Sequence, residues 1–389
     1  MRIQLPQEKP QDVLAALLAP EMVEVNSLIK NRMASDAAPR IPEVTGHLID
    51  AGGKRLRPLL TLASAEMCGN KSPYHIHLAA TVEFIHTATL LHDDVVDESK
   101  QRRGRPTANL LWDNQSSVLV GDYLFSRSFQ LMVETGNLRV LDILANASAT
   151  IAEGEVLQLT VAQNLSTTED TYLKVIRGKT AALFEAACKV GGVISNANEK
   201  IIDALASYGD ALGICFQITD DYLDYNGSAA NLGKSIGDDF RERKMSLPLI
   251  KVLKKSNAAE KDFWKRTIEI GDQKNNDLDY ALELMSKHNA LNDTLNDAIF
   301  WSNKAKESII TLPKSPLRDV LLELPNYVVS RLSSLKLPAE PTNLDSVKIS
   351  LQQLFELTQN FETTQSMFLQ SLTFLKGLTH NHLMNPKLF

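Results

Sequence analysis

Cysteine is scarce: Cys68, Cys188 and Cys215 are the three in 389 residues, with no close pair. That spacing fits neither a disulfide framework nor a zinc site. Each lies in an apolar helical context, which reads as small core residues of a protein kept reduced. A basic excess is also missing. Lys+Arg is 41 against 47 Asp+Glu, a net charge of -6, which argues against general nucleic-acid binding. No stretch approaches the roughly 18 uninterrupted apolar residues of a membrane span, so no transmembrane segment is expected. The N-terminus, MRIQLPQEKPQ, lacks an apolar core for a secretory signal, and a cytoplasmic location is expected. Strand signals, heptads and solenoid repeats are wanting too. Gly (18) and Pro (15) are too few for a collagen-like or low-complexity chain, and 44% hydrophobic residues supply ample core.

What remains is helix. Leu78, Val82, Ile85 and Thr89, with the run to Val96, fit one long amphipathic helix. Ile201, Leu205, Leu212, Phe216 and Leu223 fit another, in which Gly209 and Gly213 would let a neighbouring helix come close. Breakers recur at Gly52-Gly53, Gly69 to Pro73, Gly104 to Pro106, Gly136-Asn137, Gly191-Gly192 and Gly227 to Gly237. The chain reads as all-α, with about ten or more helices. A proline-bearing stretch from Lys336 to Asn343 suggests a main domain over 1–337 and an extension over 338–389. The extension holds a helix candidate from about Ser346 to Leu378.

One motif occurs twice. Asp93, Asp94 and Asp97 form a DDxxD, as do Asp220, Asp221 and Asp224. On a helix, positions i and i+4 share a face about 6 Å apart. Asp93 therefore points with Asp97, and Asp220 with Asp224. Carboxylates held side by side repel unless something neutralises them. Mg²⁺ does so, typically through one or two carboxylates, waters and substrate phosphates. The flanking Leu90, Leu91, Val95 and Val96, and Phe216, Ile218 and Leu223, are core-like, which disfavours a merely solvated acidic face. Basic residues accompany the motifs. Lys54 and Arg57 lie in GGKRLRP at a loop-to-helix junction suited to an anion. Arg102, Arg103 and Arg105 follow the first motif, and Lys234 and Lys244 bracket Gly237 to Asp239.

These segments, with GDYLFSRSFQ, GEVLQL, GKTAALFEAA, FQITDDYLDY and GKSIGDDFRERKMSLPL, stand in the order seen in trans-polyprenyl diphosphate synthases. The chain resembles long-chain members of the octaprenyl/decaprenyl type over about residues 11 to 335. The resemblance implies an all-α isoprenoid-synthase bundle with a central cavity, usually homodimeric. It implies Mg²⁺ at Asp93, Asp97, Asp220 and Asp224, with Asp94 and Asp221 completing the catalytic motifs. Lys54, Arg57, His86 and Arg103 match contacts to isopentenyl diphosphate. Arg102, Lys179, Thr180, Gln217, Lys234 and Lys244 match contacts to the allylic diphosphate. The implied chemistry is ionisation of the allylic diphosphate and alkylation of the isopentenyl double bond, repeated unit by unit.

Product length is partly legible. Ala88 and Thr89, one turn before Asp93, are small, so the path for a growing chain should stay open to about eight to ten isoprene units, a quinone side-chain length. Phe129 or Met132 is the expected deeper floor. A departure from the family pattern is Arg243, where a glycine is common. Alternatives are a shorter-chain farnesyl or geranylgeranyl synthase, a terpene cyclase or a non-catalytic synthase subunit. A cyclase has no need for Lys54, Arg57 and Arg103, and non-catalytic subunits tend to lose aspartates.

Overall fold

The structure, a computed structural model, describes residues 9–50, 53–102, 104–226 and 236–333. Arg103, Lys234 and the extension 338–389 lie outside these residues, as does the expected boundary at 337/338. The chain divides at Ser333/Ser334, and every described residue belongs to the unit that ends at Ser333.

The described residues are helical nearly throughout. In chain order the helices are α1 (Pro10–Leu17), α2 (Ala19–Met33), α3 (Arg40–Asp50), α4 (Leu56–Met67), α5 (His75–Val96), α6 (Ala108–Leu111), α7 (Asn114–Glu134), α8 (Leu138–Val161) and α9 (Glu169–Ile176). A π-helical turn, Arg177–Ala181, leads into α10 (Ala182–Ile194), followed by α11 (Glu199–Asn226). Then come α12 (Asp238–Arg241), α13 (Leu247–Lys255), α14 (Ala258–Trp264), a second π turn (Lys265–Ile270), α15 (Asp277–Lys287), α16 (Ala290–Ile309) and α17 (Pro316–Ser333). The strands are a two-residue hairpin, Gln101–Arg102 against Arg105–Pro106. This is the expected all-α architecture.

Two helices organise it. α5 packs along α7, α2 and α4, while α11 packs along α10 and α16. Their sequences explain the burial. Phe84, Ile85, Ala88 and Leu91 of α5, and Leu205, Tyr208, Leu212, Ile214, Cys215 and Ile218 of α11, are all inside. Each large apolar side chain removed from water contributes about 1.5–3 kcal/mol. Over an 18-residue window α11 has a mean hydropathy of 1.3, enough in length and composition for a membrane span, yet 61% of that window is buried within the bundle. Its apolarity is that of a core helix. Burial also pushes the thiols up, Cys68 to about 11 and both Cys188 and Cys215 to about 12, as expected of packing residues.

The glycine spacing on α11 has the expected consequence. A Cβ at Gly213 would stand 2.6 Å from Ala181 Cα, and one at Gly209 would stand 2.5 Å from the Phe184 carbonyl oxygen. Backbone meets backbone here, so neither contact can relax by turning a side chain. Gly213→Leu should therefore push α11 off the π turn that leads into α10 and lower unfolding free energy by about 1–3 kcal/mol, read as a lower urea midpoint at unchanged m-value.

Candidate active site

The first aspartate motif ends α5, and its three carboxylates separate. Asp94 is fully buried and accepts from Arg102 Nη2 at 2.8 Å and Nε at 3.0 Å. This pair ties the hairpin after α5 to the helix. Asp97 caps the helix C-terminus and lies 3.8 Å from Lys244 Nζ. Burial pushes the Asp93 carboxyl up to about 6; Lys179 and Arg102 pull it down, while Glu155 and Asp97 add to the rise. His92, unassigned by sequence, donates to the Val118 carbonyl at 3.1 Å, lies 3.3 Å from Asp122 and stacks on Phe125, fixing α5 against α7.

The second motif closes α11 and separates in the same way. Asp221 is buried and accepts from the Tyr172 hydroxyl at 2.7 Å, Gln217 Nε2 at 2.9 Å and the Leu247 N–H at 3.2 Å. Burial raises its pKa, against those three bonds. Gln217 in turn accepts from the Thr180 hydroxyl at 2.9 Å. Asp220 is half exposed, 3.3 Å from Arg331 of α17. Asp224 accepts the Asp239 N–H at 3.0 Å, and its own carbonyl accepts the Gly237 N–H at 2.8 Å. The segment Gly237–Lys244 is thereby fastened to the second motif. Its last residue, Lys244, reaches Asp97 of the first. Burial opposes charge on Lys244, but Asp239, Asp97 and Glu242 outweigh it and hold the lysine protonated. Lys179, from the π turn, binds Glu155 at 3.0 Å.

A basic cluster adjoins. Arg57 Nη1 lies 3.2 Å from His86 Nε2, and its guanidinium sits 4.4 Å over the Phe184 ring. Lys54 lies 5.8 Å over the Tyr327 ring. Burial lowers its pKa, helped by Arg331 and Lys9, with Asp220 opposing. Arg331 thus stands near both Asp220 and Lys54. Sequence reading misses Arg331, Glu155 and Tyr172, because their roles depend on which helices meet.

The departure at Arg243 has a geometric reason. The residue is in the left-handed region at φ 61, where glycine sits without strain. Arg243 holds that position by donating to the carbonyls of Ile268 at 2.8 Å and Glu269 at 2.9 Å. The expected cavity residues need correction. Phe129 is 49% exposed on the outer face of α7, so it floors nothing within this chain, whereas Met132 is buried beside Val82 and Ile85. A 480 Å³ surface depression includes Phe129 and Val133 but none of the aspartates. Ala88 is sealed in the core, while Thr89 is half-buried with its hydroxyl donating to the His86 carbonyl at 2.8 Å.

No three His, Cys, Asp or Glu side chains form a closed metal cage among the described residues. Mg²⁺ does not require one, since it keeps waters and takes diphosphate oxygens alongside one or two carboxylates. A half-buried Asp93 with Asp97 one turn on fits that demand. Over residues 38–285 the chain matches the family model for polyprenyl synthetase. The chain belongs to that family. It is 40% identical over 315 residues to octaprenyl diphosphate synthase of Escherichia coli K12, covering 81% of this chain and 97% of that enzyme. A decaprenyl diphosphate synthase structure from Rhodobacter capsulatus superposes with TM-score 0.81 at 66% identity, covering 83% of this chain and 99% of that one. A polyprenyl synthase structure from Caulobacter crescentus, complexed with calcium and isoprenyl diphosphate, superposes with TM-score 0.80 at 47% identity, over 84% and 99%. The chain is a prenyl-transferring enzyme.

The raised Asp93 pKa makes a test of the acidic site. A carboxyl whose folded pKa exceeds its ordinary 3.8 favours the fold when protonated. That stability is complete below the ordinary value and is lost as pH climbs through about 6. Without divalent metal, Asp93→Asn should therefore exceed the parent in stability by about 1–3 kcal/mol at pH 8 and match it near pH 4. Thermal melts in chelator at both pH values measure this.

Proposed function

We propose that this enzyme is a Mg²⁺-dependent long-chain trans-polyprenyl diphosphate synthase. Working in the cytoplasm, it extends an allylic diphosphate with isopentenyl diphosphate to about eight to ten isoprene units, for use as a quinone side chain. The observation that carries the reading is Lys244, fastened to the second aspartate motif through the Gly237–Lys244 segment and 3.8 Å from Asp97 of the first. Both motifs therefore serve one site. The octaprenyl and decaprenyl synthases it resembles support the product class.

Asp93 and Asp97 on one side, and Asp220 and Asp224 on the other, would hold the metal. Bound there, Mg²⁺ would supply charge stabilisation for the departing diphosphate. Lys179, Lys244 and Arg102 present fixed positive charge to the allylic diphosphate, with Lys234 assigned the same role by motif match. Thr180 and Gln217, hydrogen-bonded to each other, position the π turn that carries Lys179. Ionisation leaves an allylic cation, which the isopentenyl double bond attacks before a proton departs. Lys54, Arg57 and His86, with Arg103 by motif match, grip the isopentenyl diphosphate for that attack. Preorganised charges in a water-poor site do this work without reorganising. That second basic cluster and the six aspartates disfavour a cyclase or a non-catalytic subunit. The product then leaves past Thr89, which is half-buried one turn before Asp93. Exposed Leu119, Phe129 and Val133 of α7, and Val156 and Leu159 of α8, support a homodimer that covers them.

Incubation with farnesyl and isopentenyl diphosphates plus Mg²⁺, followed by product sizing, tests the class. Asp93→Ala and Asp220→Ala should each lower turnover by at least about 10²-fold. Full activity in excess chelator would sink the mechanism. The path for the chain has its own test. Thr89→Phe places a ring one turn, about 6 Å, below Asp93, so the product should shorten to about three or four units while ionisation survives. Wild-type product length in an active Thr89→Phe variant would show that the chain runs elsewhere. Ala88→Tyr, by contrast, should chiefly destabilise the fold, because Ala88 is fully buried in the core.

A further inference from the structure

The sequence GGKRLRP contains a third cation, Arg55, that no substrate role absorbs. Arg55 caps the N-terminus of α4 in the left-handed region, at φ 47 and ψ 33. L-residues other than Gly, Asn and Asp enter that region rarely and at a cost. Nothing local repays it, since the cap makes no side-chain hydrogen bond. The guanidinium instead donates to the Glu83 carboxylate, and both side chains are largely buried, 16% and 10% exposed. Glu83 lies on α5 three residues before His86, hence on the same side of the helix. His86 meets Arg57, two residues after Arg55. The first turn of α4 is thus joined to one turn of α5 by two rungs, Arg55–Glu83 and Arg57–His86. Lys54 and Arg57 flank the strained residue on either side.

We propose that Glu83 is a positioning residue for the isopentenyl diphosphate site. Its carboxylate holds Arg55 in the left-handed conformation and thereby sets where Lys54 and Arg57 present their charges. Arg55 is spent on this clamp and does not contact substrate. The proposal rests on the assignment of Lys54, Arg57 and His86 to isopentenyl diphosphate. A buried carboxylate beside two diphosphate-binding cations would by itself repel the substrate. Its direct pairing with Arg55 cancels that charge locally, so the net field of Lys54 and Arg57 is kept. The allylic side is spared, because its cations, Lys179, Lys244 and Arg102, hang from other elements.

Glu83→Gln keeps the side-chain shape and removes its charge. Steady-state kinetics are run with each substrate varied against saturating partner, with Arg57→Ala beside it. Glu83→Gln should raise KM for isopentenyl diphosphate about tenfold, the loss of one charged hydrogen bond's worth of positioning. KM for the allylic diphosphate and kcat should stay within about twofold. The double variant Arg55→Gly, Glu83→Gln should return the isopentenyl KM to within about threefold of the parent, because glycine takes the left-handed turn freely and no charge is left unpaired. An unchanged isopentenyl KM in Glu83→Gln, equal rises for both substrates, or no recovery in the double variant overturns the proposal. Should Glu83→Gln fail to fold, the double variant and Glu83→Asp decide: both must keep the isopentenyl KM within about threefold, and a larger rise in either overturns it. Arg57→Ala acting alike on both substrates overturns the site assignment itself. A selective Arg57→Ala beside a silent Glu83→Gln overturns the positioning role alone.

Discussion

Like charge buried inside a helical bundle is the constraint on which this structure turns. Of the six aspartates that end α5 and α11, Asp94, Asp221 and Asp224 are buried, and carboxylates so placed cannot all stay ionised without neighbours. The fold answers one carboxylate at a time. Asp94 has the guanidinium of Arg102, and Asp221 has a phenol, an amide and a backbone N–H. Asp97 faces Lys244, Asp220 faces Arg331, and Asp224 takes the Asp239 N–H. Asp93 has its carboxyl pushed up to about 6, chiefly by burial. The middle aspartate of each motif is thus held by several partners from neighbouring elements.

That division explains the surrounding sequence. Arg102 follows the first motif closely because, from the first strand of the hairpin, it reaches back to Asp94 at the end of α5. Tyr172 precedes the π turn because the register there carries its hydroxyl to Asp221 and sets Thr180 facing α11, while Lys179 pairs with Glu155 of α8. The interhelical glycines belong to the same requirement. At Gly209 and Gly213 the backbone of α11 lies against α10 and the residue before it, which brings Thr180 within hydrogen-bond reach of Gln217. Close packing, rather than flexibility, is what these glycines supply.

The sequence makes legible whatever depends on local spacing. The helices, the paired DDxxD faces and the close approach at Gly213 follow from periodicities of 3.6 and from residue size. Features set by the partner of a helix are not legible. α7 shows the limit: it is apolar on two sides, with Val120, Leu124, Leu131 and Met132 buried and Val118, Leu119, Phe129 and Val133 exposed. Its hydrophobic pattern alone cannot tell which stripe faces α5, so Phe129 and Met132 are equivalent by pattern. Ala88 shows a related limit. Small size signals open space or close packing equally, and Ala88 is fully buried on α5. Arg331 is separated from Asp220 by more than a hundred residues, and no spacing rule spans that interval.

The two loops that bring cations to the site share a device that ties these points together. Arg55 stands beside Lys54, and Arg243 beside Lys244, each arginine in the left-handed region. Such a backbone costs about 1–3 kcal/mol per residue, which glycine would avoid. Glycine would take the same turn freely, but it has no side chain to fasten. Arginine offers a long arm that can be fastened elsewhere: Arg55 to the Glu83 carboxylate on α5, Arg243 to two carbonyls at the end of the second π turn. Carbonyls at a helical C-terminus carry partial negative charge, so a guanidinium is a suitable partner there. In both loops the local strain is offset by a charged anchor on a rigid neighbour, and the adjacent lysine inherits the rigidity. A site that must hold several cations close together against their mutual repulsion gains from having them fixed before the diphosphates arrive.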